Sequence, residues 1–321
     1  MMRIMGRPRA LFAVLTTGVL LAGCGAGPSQ VDSAAIVGDR SVPLEAVQQE
    51  IGWLLDNSPD AQQAQQQRKL DLNARMVVDG RIQHELITIA AQREGLRADP
   101  VQVNELIERS GGAAAIAPRV NTSADRVPEF VSDFLLTQQL GAKYAGTLSV
   151  DVVGTVITEE SPGSTAKDQA LALAKKIAEQ PERAGEVISE SNYRVLDQPL
   201  SVAATQGEQG GAEALPGSAL FGAKPGTVVA VQPSQQQAGW LVALVKGRNT
   251  ATPAPQTPIA PDSEAVYQLG KRLLQPIAEE LGVRVNPRYG VWDVASMSVL
   301  PNADEATGYQ FPAKAVQPLR P

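Results

Sequence analysis

Apolar residues recur at helical spacing through the first half of the chain and at strand spacing through its middle. Ala35-Ile36-Val37 followed by Gly38-Asp39 predicts a short strand and turn. Pro43 then opens a helix that carries Leu44, Val47, Ile51, Leu54 and Leu55. The Gln/Ala-rich stretch 57–67 is polar and reads as an exposed loop or a low-complexity helix. The longest periodic run, 69–95, sets Leu70, Ala74, Val78, Ile82, Leu86 and Ile89 on one side and stops at Gly95. Asp99-Pro100 starts another helix, faced by Val103, Leu106 and Ile107 and ended by Gly111-Gly112. A last helix, 124–144, holds Val127, Phe130, Phe134 and Gln138 in register.

Past Gly146 the texture changes. The β-branched run 148–157 predicts a strand, 164–180 a helix and 193–196 a short strand. A Gly-rich loop follows at 205–217, then two apolar β-type runs at 227–231 and 240–245. The pattern is α+β. Four prolines in 249–261 predict an extended linker. Helical spacing then returns with Val266, Leu269, Leu273 and Ile277, kinked or restarted at Pro276. That stripe has no neighbour close in sequence, so it should pack against the N-terminal helices. The remainder, 294–321, with four prolines from residue 301 onward, reads as a disordered tail.

Composition removes several kinds of chemistry. The 321-residue chain has one Cys and one His, which excludes internal disulfides, Cys/His zinc sites and any His pair. A net charge of −6 argues against a nucleic-acid surface. Residues 1–23 combine Arg3, Arg7 and Arg9 with an apolar run of 12 residues, too short to span a bilayer as a helix. The run ends in Leu21-Ala22-Gly23-Cys24, which resembles the lipobox of bacterial lipoproteins. The resemblance implies a diacylated Cys24, residues 24–33 as tether, and an extracytoplasmic protein lipid-anchored to the bacterial cell membrane. Cleavage before Cys24 removes three arginines and no acidic residue, taking the charge to −9. It also commits the only thiol to lipid.

Few side chains suggest reactive chemistry. His84 lies roughly 140° from the centre of its helix's apolar stripe at 100° per residue, and should face solvent without converging partners. Glu159-Glu160 and Glu279-Glu280 are neighbours that diverge in regular structure and read as solvated charges. Gly207–Gly211 lacks the Lys-Ser/Thr of a phosphate loop. No catalytic residue, metal ligand or cofactor is expected. Trp53, Phe130 and Phe134 stand out as apolar side chains that could serve either the core or a binding surface.

The order of parts resembles the SurA-like and PrsA-like chaperones. The resemblance rests on Ala35-Ile36-Val37-Gly38-Asp39, Val42-Pro43-Leu44-Glu45, Gly95-Leu96-Arg97-Ala98-Asp99 and the ending Asn286-Pro287-Arg288-Tyr289-Gly290-Val291-Trp292-Asp293. It implies a discontinuous all-helical chaperone module, 34–146 with 262–293, into which 147–248 is inserted. Within the insert, Leu220-Phe221-Gly222-Ala223-Lys224-Pro225-Gly226-Thr227-Val228-Val229 and Gly239-Trp240-Leu241-Val242-Ala243-Leu244-Val245 are similar to a parvulin domain. Active parvulins carry His on their first and last strands, and neither 148–157 nor 240–245 has one. The implied function is capture of unfolded, newly exported polypeptides without isomerase chemistry, with Trp53, Phe130 and Phe134 as client contacts. An active prolyl isomerase and a non-catalytic envelope scaffold or ligand-binding lipoprotein are the alternatives.

Overall fold

The computed structural model describes residues 31–158, 163–202, 217–232, 239–251, 260, 263–306 and 308–314. The lipobox and Cys24, most of the tether, most of the Gly-rich loop, most of the 249–261 linker and Glu159-Glu160 lie outside the described residues. Among the described residues no helix is long and apolar enough to cross a membrane.

The fold is α+β with antiparallel sheets. Strand β1 (Ser33–Val37) turns at Gly38, whose φ of +61° suits glycine, into β2 (Arg40–Pro43). Pro43 caps α1 (Leu44–Asn57), one residue outside the helix it was expected to open. The polar stretch is helical: Ser58 accepts from the Ala61 N–H and starts α2 (Pro59–Gln66). Helix α3 (Leu70–Glu94) ends at left-handed Gly95, as the periodicity predicts. Asp99 accepts from the Val101 N–H to cap α4 (Pro100–Arg109), and a short α5 (Ala113–Ile116) leads to α6 (Val127–Ala145).

The second region is a five-stranded sheet. It comprises β3 (Ser149–Ile157), β4 (Leu196–Ser201), β5 (Thr227–Val231), β6 (Trp240–Asn249) and β10 (Gly308–Pro312), ordered β10-β5-β6-β3-β4. Helices α7 (Ala166–Glu179) and α8 (Ala184–Glu190) seal one face through Leu173, Ile177 and Ile188. The opposite face packs Val150, Val152, Ala243 and Val245 against Leu220 and Phe221, and against Val266 and Leu269 of α9 (Glu264–Leu273).

Helix α9 is shared by both regions. Its other side lies on α6, where Gly141 and Gly270 let the two backbones touch: a Cβ on Gly270 would sit 2.0 Å from the Thr137 carbonyl oxygen. The periodic run breaks at Leu274, ahead of Pro276, and resumes as α10 (Gln275–Leu281). Strand β7 (Val283–Val285) then pairs with β1, completing the sheet β2-β1-β7. A hairpin of β8 (Val291–Asp293) and β9 (Ser298–Leu300) follows. Buried Arg272 fastens it to α9, donating to the Ala295 carbonyl at 2.7 Å.

Three expectations are corrected. Residues 34–146 and 262–293 are not all-helical: β1, β2 and β7 form a sheet and β8 belongs to a hairpin, because β7 returns to satisfy the open edge of β1. The segment 294–321 is not a disordered tail over its described part: β9 pairs with β8, and β10 adds a fifth strand to the edge of β5. An uncovered edge presents unpaired N–H and C=O groups, and Gly308–Pro312 satisfies them while Tyr309 and Phe311 pack on the α7 side. The strand expected at 193–196 lies instead at 196–201, because its register is set by pairing with β3, from Gly154↔Leu196 to Ser149↔Ser201.

Candidate functional site: an apolar groove between helices α3, α6 and α9

Helix α3 is central, with neighbours on several sides, and buries Val77, Val78, Ile82, Leu86 and Ile87. One strip remains uncovered where α6, α9 and β9 approach it without closing. The result is a groove of about 540 Å³, within the range of pockets that hold ligands. Leu72, Met76, Gly80, Gln83 and Ile87 run along its α3 wall at helical spacing. Phe130, Phe134 and Thr137 form the α6 wall, and Tyr267 with Lys271 the α9 wall.

The apolar side chains here are unusually open to water. Met76 is 57 % exposed, Leu72 49 % and Phe130 38 %. Phe134 and Tyr267 stack with ring centroids 5.1 Å apart and planes tilted by 35°, holding the two walls together. Polar groups border the groove. Asp79 accepts from the Val299 N–H at 3.1 Å, and Gln83 donates to the Met297 carbonyl at 2.6 Å, tying the β8–β9 hairpin to α3. Burial lifts the Asp79 carboxyl to about 6, against the opposing pull of Lys271 and the Val299 N–H.

Below the groove, α1, α3 and α6 are fastened by ions. Glu50, 2 % exposed, is held by Arg81 at 2.7 Å and Arg126 at 2.9 Å, and also accepts from the Thr122 hydroxyl and the Ser123 N–H. Arg126 continues to Glu129, and Glu129 faces His84.

The expectation that His84 projects into solvent without partners is therefore corrected. Its Nδ1 lies 2.9 Å from Asp133 Oδ2 and 3.7 Å from Glu129 Oε1, with its side chain 29 % exposed. The apolar stripe marks only one packed face of α3, whereas α6 covers a second face of the same helix. Burial lowers the pKa of His84, but the bond and charge of Asp133, with Glu129 and Glu85 beyond, outweigh this and leave it raised.

Of the three expected client contacts, Phe130 and Phe134 line the groove and Trp53 does not. Trp53 is half-buried, packed where the main helical core meets the smaller cluster around α4 and α5. Leu72, Met76 and Tyr267 join the groove beyond the three expected contacts. Leu72 and Met76 sit four residues apart and off the buried stripe, a pairing visible in the sequence as large apolar residues on a face that should be polar. Glu279 and Glu280 diverge as expected: Glu280 pairs with Arg93 at 2.7 Å, while Glu279 accepts from Gln275.

Compared with protein-family models, with curated proteins and with solved structures, the chain matches none.

Proposed function

We propose that this protein is a lipid-anchored extracytoplasmic chaperone of the SurA-like and PrsA-like kind. It would capture apolar segments of unfolded, newly exported polypeptides in the groove between α3, α6 and α9, without isomerase chemistry. The observation that carries this reading is the row of exposed Leu72, Met76 and Phe130 along a groove with polar borders. About half exposed, each such side chain forgoes roughly 1 kcal/mol relative to full burial, so a retained row suits a surface that is covered intermittently.

The pairing of β7 with β1 and the seating of α9 on α6 support residues 34–146 and 262–293 as one discontinuous module. Four of the five strands in the order β10-β5-β6-β3-β4 come from 147–248, with its last residue in β6. This supports a degenerate parvulin-like insert extended by β10 from outside it, with no His on its strands. Cys24 would supply the membrane attachment through its lipid, which an acidic body could not provide by charge.

The test is light scattering from a chemically unfolded client diluted into buffer with full-length protein. At equimolar amounts the wild type should suppress aggregation. The double variant Leu72→Ser/Met76→Ser, altered at two exposed sites, should lose most of that effect while keeping its thermal midpoint. A wild type that never suppresses aggregation, or a double variant that still does so fully, overturns the reading. Catalysis of prolyl isomerisation in a protease-free peptide assay would overturn its non-catalytic part.

A further inference from the structure

We propose that His84, Glu129 and Asp133 form a binding site for a divalent transition-metal ion at the crossing of α3 and α6. Glu129 and Asp133 are four residues apart on α6 and so share one face, which meets the single histidine of α3. One ligand atom from each of the three side chains lies within 4.8 Å of the other two. A tetrahedral ion with bonds of about 2.0–2.1 Å sets its ligands about 3.3 Å apart. The two separations from Nδ1, 2.9 Å to Asp133 and 3.7 Å to Glu129, bracket that value, and the two carboxylates lie within 4.8 Å of each other.

The surroundings suit a bound ion. Arg126, itself fixed by buried Glu50, bonds the Glu129 Oε1 that lies nearest His84, so it anchors that carboxylate and would share the oxygen with the ion. Asp133 also lines the groove. One imidazole with two carboxylates suits Zn²⁺ and its first-row neighbours better than Ca²⁺ or Mg²⁺, which take oxygen alone. Binding at Nδ1 requires the tautomer with hydrogen on Nε2. The ion therefore replaces the proton shared between Nδ1 and Asp133, and that proton leaves to solvent. The bound ion would join the α3 and α6 walls of the groove.

Because the chain has a single histidine, its imidazole is an unambiguous reporter. The experiment uses untagged full-length protein, titrated with ZnCl₂ by calorimetry and followed by ¹⁵N NMR of the His84 ring. The expected result is one ion per chain, a displaced Nδ1 resonance and a raised thermal midpoint. Asp133→Asn and Glu129→Gln should each weaken binding at least about tenfold, and His84→Asn should abolish it. Asp133→Asn keeps an acceptor for the imidazole and thus the local packing, which circular dichroism checks. An Nδ1 resonance unmoved by excess Zn²⁺, or an affinity unchanged in Asp133→Asn and Glu129→Gln, overturns the site.

Discussion

The helical region and the sheet region of this protein solve burial in opposite ways. The sheet is covered on both faces: β5 from Val228 and β6 through Val245 are buried, with α7 and α8 on one side and α9 with Phe221 on the other. The helical region instead places a carboxylate and two arginines between α1, α3 and α6 and leaves large apolar groups in water beside them. A buried ion pair is a weak source of stability but a strict one, since it tolerates only the arrangement that satisfies every member. The difference bears on the surface proposed to bind clients. The sheet's central strands offer a partner little beyond Val156 and the β4 edge, whereas the groove presents a row of large apolar side chains.

The comparison is broken most severely at Glu50. Glu50→Ala leaves Arg81 and Arg126 with their shared carboxylate gone, and should cost about 3–5 kcal/mol. Hydrogen exchange is the measurement. Amides of α1, α3 and α6 should lose protection by that amount while those of β3 and β6 lose much less. Equal loss in both regions would show a single cooperative unit and erase the distinction.

A smaller effect is expected at the seam. Gly270→Ala places a methyl group where the Thr137 carbonyl already stands, so α9 must lift from α6 at a cost of about 1–3 kcal/mol. Because α9 contributes to the cores of both regions, the thermal midpoint should fall and protection should drop on both sides. Loss confined to the helices would mean that the sheet holds α9 by itself.

These two sites also show where the sequence was legible. The helices of the first region follow from periodicity and end signals, since Gly95 and Asp99 act within one turn of themselves. Phe130 and Phe134 follow from spacing as well. What sequence spacing misses is set by distant partners. Strand β10 carries little apolar periodicity, only Tyr309 and Phe311, and ends in Pro312, so it does not announce itself, and it forms because β5 has an edge to cover. Strand β4 shifts because β3 fixes its register, and Pro199 is tolerated because β4 lies at the sheet's edge. The groove is the clearest case: Leu72 and Met76 gain meaning only once α6 and α9 stop short of them.

The mildest test concerns Asp79, the acid set among the groove's apolar side chains. Its carboxyl titrates near 6 in the folded protein, against an ordinary value of 3.8. The folded state therefore holds that proton more tightly than the unfolded chain does. Its contribution to stability is complete below pH 3.8 and is lost as pH rises through 6. At pH 7 the ionised group is a net burden of about 1–2 kcal/mol, allowing for the screening that its half-buried position provides. Asparagine has nearly the same shape and still accepts from the Val299 N–H, so Asp79→Asn should raise stability by about that amount at pH 7. Near pH 4 the two proteins should differ little. Urea unfolding at both pH values checks the prediction, and a variant less stable than wild type at pH 7 would show instead that the Lys271 attraction, rather than burial, governs this wall of the groove.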